Sequence, residues 1–325
     1  MSTDSVFRKI ITIKSAQIEL GHSSEIFVAG SCFVNHIGNR LIQHGFNVSH
    51  PFGTLYNPIT ISQHFSRVIA QQAYIADDVI QSQEGYYSWH HNNVITHPDK
   101  GQLLKDLNQQ LSDLKNSFNN SSHIIISLGS AWVYEYPKVG IVGNCHKIPA
   151  SSFNKRILKV EEIVHELSAV IDQYPNKTFV FTVSPVRHWA DGPEQNTQSK
   201  SVLHLATREL TEAFSNCSYF PSYEIMMDEL RDHRFYAKDM LHPSDEAIDY
   251  IWHRFKDYSM NSTTQKTVEK VEKVRAGIAH RPFNAKSDQH QQFLRNLLKE
   301  IEQVKSDTPH YNWGKEIEQV SSQLM

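Results

Sequence analysis

Two kinds of hydrophobic pattern alternate along the chain. Short, mostly apolar or β-branched runs occur at Ile26 to Ala29, Phe46 to Ser49, His123 to Leu128, Thr178 to Val183, and Ser218 to Tyr223. Continuous runs of this length fit strands covered on both faces, as in parallel sheets. Between them the apolar residues space out. Phe33, Ile37 and Leu41 repeat every four residues, and Ile59, Phe65 and Ile69 form a looser series. Leu103, Leu104, Leu107, Leu111 and Leu114 make an amphipathic stripe, as do Ile163, Val164, Leu167, Val170 and Ile171. Leu203, Leu205, Ala206, Leu210 and Phe214 mark a further helix. Strands alternating with helices predict a three-layer α/β/α sandwich around a mainly parallel five-stranded sheet.

The last core helix has the clearest start. Ser244 is a natural N-cap, and Asp245 and Glu246 fall in the first turn, where the helix dipole favours acids. Ile248, Ile251, Trp252 and Phe255 then share one face. Past Tyr258 the pattern changes. Ser259 to Thr264 reads as a polar linker, and the remainder is rich in Lys, Glu and Gln. Phe293, Leu294, Leu297, Leu298, Ile301 and Val304 form one more stripe. The expected division is a core domain over 1–258 and a helical extension over 265–325. That extension is either a homodimerisation or docking element, or helices folded back on the core.

Composition narrows the function classes. At 39% hydrophobic and 21% charged residues, the 325-residue chain can build a sizeable core. A net charge of −3 lacks the basic excess of a nucleic-acid binder. Three cysteines, Cys32, Cys145 and Cys217, make no disulfide framework and fit a reducing compartment. No apolar run is long enough for a membrane span, and Met1 to Ser15 carries no signal-peptide pattern. These features predict a cytoplasmic protein. The 19 histidines form no His-Glu-x-x-His pattern, and His90, His91 and His97 read as residues of a polar, irregular stretch. No metal or cofactor is expected.

Two motifs carry chemistry. Gly30-Ser31-Cys32 follows the first strand and opens a helix. Ligands bind at the carboxyl ends of strands in doubly wound sheets, and a helix N-terminus offers free N–H groups to an oxyanion or a thiolate. Either Ser31 or Cys32 suits a nucleophile there. Asp239-Met240-Leu241-His242-Pro243 precedes the capped helix. Its spacing lets the Asp239 carboxylate hold His242 Nδ1 and leaves Nε2 free as a general base.

The run Gly30-Ser31-Cys32-Phe33-Val34 resembles the signature of the GSCFA domain family, with Val34 in place of the usual Ala. His50-Pro51-Phe52-Gly53-Thr54-Leu55-Tyr56-Asn57-Pro58, Ser127-Leu128-Gly129-Ser130-Ala131-Trp132-Val133-Tyr134, Thr182-Val183-Ser184-Pro185-Val186-Arg187-His188, and Ser199-Lys200 extend the likeness over roughly residues 20–255. The family is grouped with the SGNH (GDSL-like) hydrolases. The resemblance implies a flavodoxin-like fold and esterase-type chemistry on a small-molecule or carbohydrate ester. Laid without a gap on the Gly-Asp-Ser block of those enzymes, Cys32 takes the nucleophile position; a shift of one residue gives that position to Ser31. Asp239, His242 and Pro243 match the last block. The third block departs, because Gly129-Ser130-Ala131-Trp132 lacks the oxyanion-hole Asn. Asn57, or the backbone at Gly53 or Cys32, is a candidate replacement. Arg187 and His188 are candidates for binding an anionic or polyhydroxy group, and Trp132 and Tyr134 for stacking on a sugar or acyl group. The rival expectation is a catalytically inactive binding module on the same fold, favoured by the missing Asn.

Overall fold

The sheet is built from the predicted apolar runs. A computed structural model describes residues 9–13, 18–82 and 84–325. Strands β1 (Glu25–Gly30) and β2 (Asn47–Ser49) are joined by helix α1 (Cys32–Gln43), and helix α2 (Pro58–Ala70) follows. A small antiparallel sheet of β3 (Val79–Ser82), β4 (Gly85–Ser88) and β5 (Thr96–His97) precedes α3 (Lys100–Asn120) and β6 (His123–Leu128). A second antiparallel sheet holds β7 (Trp132–Tyr136), β8 (Gly140–Ile141) and β9 (Asn154–Ile157). Helix α4 (Val160–Ile171), β10 (Thr178–Val183), α5 (Pro193–Ala213) and β11 (Cys217–Tyr219) complete the main sheet.

That sheet has five strands in the order β11-β10-β6-β1-β2, and every pairing is parallel. The chain leaves β1 for β2 on one side and β6 on the other. The direction of winding therefore reverses between β1 and β6, and a crevice opens there.

Both sheet faces are covered, which explains the unbroken apolar runs. Phe27, Ile124, Ile126, Phe179 and Phe181 point into the layer of α2 to α5. Ile26, Val28, Ile125 and Val180 point the other way, toward α1 and α7 (Asp245–Ser259). Alternate residues of one strand thus enter opposite cores. The amphipathic stripes of α3 and α4 are buried as expected. In α5, Leu203, Ala206 and Leu210 are buried, but Leu205 lies 54% exposed on the outer side.

Three segments differ from the sequence pattern. Phe46 is not in β2; its N–H closes the turn that ends α1, on Leu41 O. The run Ser218 to Tyr223 is strand only to Tyr219, because Ser222–Glu224 is a short helical turn, α6, begun by Pro221. His90 and His91 flank the β3–β5 sheet rather than an irregular surface stretch. His91 is buried, and its Nδ1 and the Ser88 hydroxyl are 2.9 Å apart.

Helices α8 (Ser262–Ala279), α9 (Asp288–Asp307) and α10 (Gly314–Ser321) share a separate core. Val271 and Val274, the α9 stripe of Leu294, Leu297, Ile301 and Val304, and Trp313 and Val320 fill it. The stripe is therefore covered within the chain. Val268 reaches back into the main core, and Glu272 bridges His44 (3.2 Å) and Lys256 (3.0 Å). Among the described residues no helix is long and apolar enough to cross a membrane.

Candidate active site

The crevice between β1 and β6 is set by two glycines. Gly30 has φ +125°, and a Cβ there would stand 2.1 Å from Ser127 O. Only glycine lets β1 turn so closely against β6. Gly129 is less tightly enclosed, since its added Cβ would meet Tyr56 O at 3.0 Å and Ser31 Cβ at 3.2 Å. The chain reverses into α1 immediately after Gly30.

Ser31 is the N-cap of α1, but its side chain makes no capping bond. It is 1% exposed, and its Oγ and that of Ser127 are 2.8 Å apart. Cys32, the first helical residue, is only half-buried. Its thiol pKa is raised, because burial outweighs the Lys200 charge and the N–H groups of Cys32 and Phe33, which pull it down. The more accessible of the two candidate nucleophiles therefore sits on the free N–H groups of a helix, beside a cation.

That cation comes from the middle of α5. Lys200 is 2% exposed, and its Nζ donates to Gly129 O and Ser184 O, each at 2.8 Å. It pairs with no carboxylate among the described residues. Burial lowers its pKa to about 7; Cys32 raises it and Arg187 lowers it further. The sequence held a signal for this residue. Asn196, Ser199, Leu203, Ala206, Thr207 and Leu210 form the buried face of α5, and Lys200 falls in that series.

The predicted base, His242, and its predicted orienter, Asp239, lie on the loop before α7. Asp239 Oδ2 and His242 Nδ1 are 2.6 Å apart, and Asp239 Oδ1 accepts the N–H groups of Leu241 (2.9 Å) and His242 (3.0 Å). Those backbone donors, followed by the imidazole, hold the Asp239 pKa down at about 2. An ionised carboxylate on Nδ1 fixes the tautomer that presents Nε2 as a base. Three contacts anchor the loop: Arg187 N to Leu241 O (3.2 Å), Ala237 N to His242 O (2.8 Å), and the Ser244 cap of α7, which accepts from Ala247 N at 3.3 Å.

His242 stands over α1, close enough for its charge to lower the pKa of His36, after burial. His36 is one helical turn beyond Cys32 on the same face. Among the described residues His242 makes no hydrogen bond to Ser31 or Cys32. The Asp239–His242 pair is thus formed without a hydrogen bond to either candidate nucleophile.

The other predicted residues divide around this crevice. Asn57 caps α2, accepting from Thr60 N at 2.9 Å, which commits its carbonyl oxygen. With Tyr56, Trp132, Tyr134 and His188 it lines a cavity of about 220 Å³. The His188 ring stands edge-on to Tyr56 at 5.3 Å, and Trp132 Nε1 donates to Gln195 O at 3.2 Å. Gly129 N and Ser130 N donate to Tyr56 O (2.9 and 2.8 Å), so the third block offers neither an Asn nor these N–H groups to an oxyanion. Gly53 lies on the β2–α2 loop against Asn92. Arg187 faces the opposite side, in a cleft of about 590 Å³ shared with Asp239.

Two family models match the chain. Residues 25–255 match the model described as GSCFA family, and residues 271–325 match the one described as GSCFA domain protein, C-terminal domain. No curated protein matches the chain. Among solved structures, one similar chain, described as a platelet activating factor, comes from Streptococcus pneumonia. It has 12% identity and a TM-score of 0.37, covering 72% of this chain and 83% of that one. Another is the Clostridium thermocellum family 3 carbohydrate esterase, with 14% identity and a TM-score of 0.31, covering 77% and 97% respectively.

Proposed function

The chain belongs to the GSCFA family, and from that premise we propose that it is an acyl-ester hydrolase or O-acyltransferase with a Cys32 nucleophile. The observation that carries this reading is the Asp239–His242 pair, 2.6 Å apart, on the loop that overhangs α1. Cys32 Sγ attacks the ester carbonyl carbon as its proton passes to His242 Nε2. The N–H groups of Cys32 and Phe33 hold the resulting oxyanion at the helix N-terminus. Lys200 adds a positive charge nearby at pH values below its pKa of about 7. Collapse breaks the bond to the alkoxide, which takes the proton from His242 and leaves a thioester on Cys32. Water or an acceptor hydroxyl then attacks the thioester, with His242 again removing the proton. Ser31 is the weaker candidate because its hydroxyl is buried against Ser127. A small-molecule or carbohydrate ester is the expected substrate class, by the resemblance to SGNH hydrolases. This activity belongs to the 1–258 portion, with 265–325 as a helical extension.

One observation favours a binding module instead: with Gly129 N and Ser130 N tied to Tyr56 O, the third block gives no oxyanion donor. Covalent labelling separates the two readings. Iodoacetamide and a fluorophosphonate are applied to wild type, Ser31→Ala, Cys32→Ala and His242→Ala, and sites are read by peptide mapping. Cys217 gives an internal standard of low reactivity, since burial pushes its thiol up to about 12. Labelling at Cys32 that drops about tenfold or more in His242→Ala supports catalysis. Cys32 labelling no faster than in unfolded protein, with Ser31 also inert, would favour the binding module.

A further inference from the structure

The 590 Å³ cleft beside the Asp239–His242 pair is as large as a small-molecule site and has no assigned ligand. Its inner wall comes from the segment after β11. Met226 and Leu230 are buried there and Met227 is half-buried, on a π-helical turn, Ile225–Glu229, and the residue that follows it. Such wide turns often mark functional sites. Trp189 and Met240 form the two lips and are 50% and 44% exposed. Large apolar side chains left open on both sides of one cleft are an incomplete apolar surface. The lips are tied together by the Arg187 N to Leu241 O bond. Methionines can repack around flexible ligands of varied length.

The polar equipment is sparse and of one kind. Arg187 stacks beside Trp189, with its guanidinium carbon 5.4 Å from the ring centroid. Its Nε is buried without a hydrogen-bond partner, and it forms no ion pair among the described residues. The carboxylates along the same wall are committed. Asp239 holds His242, and Asp232 accepts Arg234 N at 3.0 Å. Arg231 is paired with Asp228 at 3.0 Å. An apolar trough with one uncommitted guanidinium donor suits a chain that ends in a carbonyl or carboxylate.

We infer that this cleft is the acyl-chain subsite, taking a medium-chain fatty acyl group whose carboxylate, once released as product, is held by Arg187. This rests on the acyl-transfer reading above and narrows the acyl group, which that reading leaves open, to longer apolar chains. The chain lies between Trp189 and Met240, against Met226, Met227 and Leu230, and its reacting end faces the catalytic pair.

Binding and turnover are measured separately on the full-length protein. Calorimetric titration compares sodium octanoate with sodium acetate on wild type, Met240→Asn, Trp189→Ala and Arg187→Gln. Met240 has φ +61°, a conformation that Asn adopts readily, and Trp189 is at the surface, so both variants should fold. Octanoate should bind wild type at least tenfold more tightly than acetate, and each variant should weaken it by about tenfold. Equal affinity for the two acids, or octanoate binding untouched by all three variants, would overturn the inference. Turnover of p-nitrophenyl octanoate and acetate isolates the enzymatic reading. Variant-sensitive octanoate binding without turnover of either ester would keep the cleft assignment and remove the enzyme. Equal kcat/KM on both esters, with no octanoate binding, would keep the enzyme and remove the cleft assignment.

Discussion

Lys200 is the residue on which the site's electrostatics turn. A fully buried lysine without a carboxylate costs stability, because water solvates an ammonium better than two carbonyls do. Replacing it with isosteric Met should therefore be tolerated or stabilising near neutral pH. Its folded-state pKa of about 7 lies below the unfolded value of 10.5. Between those values the unfolded chain binds the extra proton, so this group makes stability rise with pH. The slope is up to ~1.4 kcal/mol per pH unit. Below pH 7 the contribution is flat. Urea midpoints at pH 6, 8 and 9 should climb in wild type and lose that climb in Lys200→Met. The same variant removes an ammonium that is charged beside Cys32 below about pH 7, so alkylation of Cys32 at pH 6 should slow relative to wild type while Lys200→Arg largely restores it. An unchanged rate would mean that Lys200 only fills space.

The same residue shows where sequence reading stops. Its place on the buried face of α5 is visible in the spacing from Asn196 to Leu210, but its partners are not. Gly129 O and Ser184 O belong to loops after β6 and β10, which only the sheet order brings together. Asp239 and His242 were legible because both sit on one local turn. Their neighbour His36 was not, because that proximity is made by packing α7 against α1.

At the scale of elements, the strands His123–Leu128 and Thr178–Val183 lie where the hydrophobic runs put them. Each is covered on both faces, so its pattern is all apolar and its ends are sharp. β2 and β11 are edge strands shorter than their runs, because Phe46 at the start of one run and residues 220–223 at the end of the other have other duties. Ser222 Oγ, for example, donates to Val183 O at 2.9 Å and lies 2.6 Å from Thr182 Oγ1. The β3–β5 sheet is not legible in the hydrophobic pattern because its strands are two to four residues long and bury only Val79, Tyr87 and Ser88.

The β1–α1 turn holds the most tightly enclosed glycine among the described residues. Gly30→Ala forces a Cβ into Ser127 O at a φ that favours glycine, which should cost about 3 kcal/mol or more. Urea denaturation measures this. The loss should be cooperative and global, because β1 is a central strand. A midpoint within error of wild type would show that the turn relaxes freely and does not position Ser31 and Cys32.

For the whole molecule, the question is what α8 to α10 do for the core. Their own interior is filled by α9 side chains, so the α9 stripe is not a free docking face. Their junction with the core mixes apolar and ionic contacts. Val268 enters the main core, and the Arg275 guanidinium Nε donates to Gln43 O. Glu272 is pulled down to about 2 by hydrogen bonds from His44 and then Lys256, against partial burial. A carboxylate with a depressed folded pKa stabilises above its unfolded value of 4.5, and that contribution is lost as pH falls from 4.5 toward 2. Partial exposure limits the effect to roughly 1 kcal/mol or less. Glu272→Gln should therefore lower stability slightly at pH 7 and flatten the acid limb of the curve.

Truncation after residue 260 tests the larger contribution. It removes Val268 and Glu272 and leaves part of the face of α1 and α7 uncovered. Burial of apolar surface stabilises by about 25 cal/mol per Å², and each kcal/mol lost moves the midpoint by about 2–4 °C for a domain of this size. The truncated protein should melt several degrees lower and self-associate through the uncovered face, as read by calorimetry and sedimentation velocity. If its midpoint and its sedimentation both match the full chain, the helices add nothing to the core and their role is separate from its stability. If the midpoint falls while Cys32 labelling at 20 °C is unchanged, the extension supports the fold without taking part in the site.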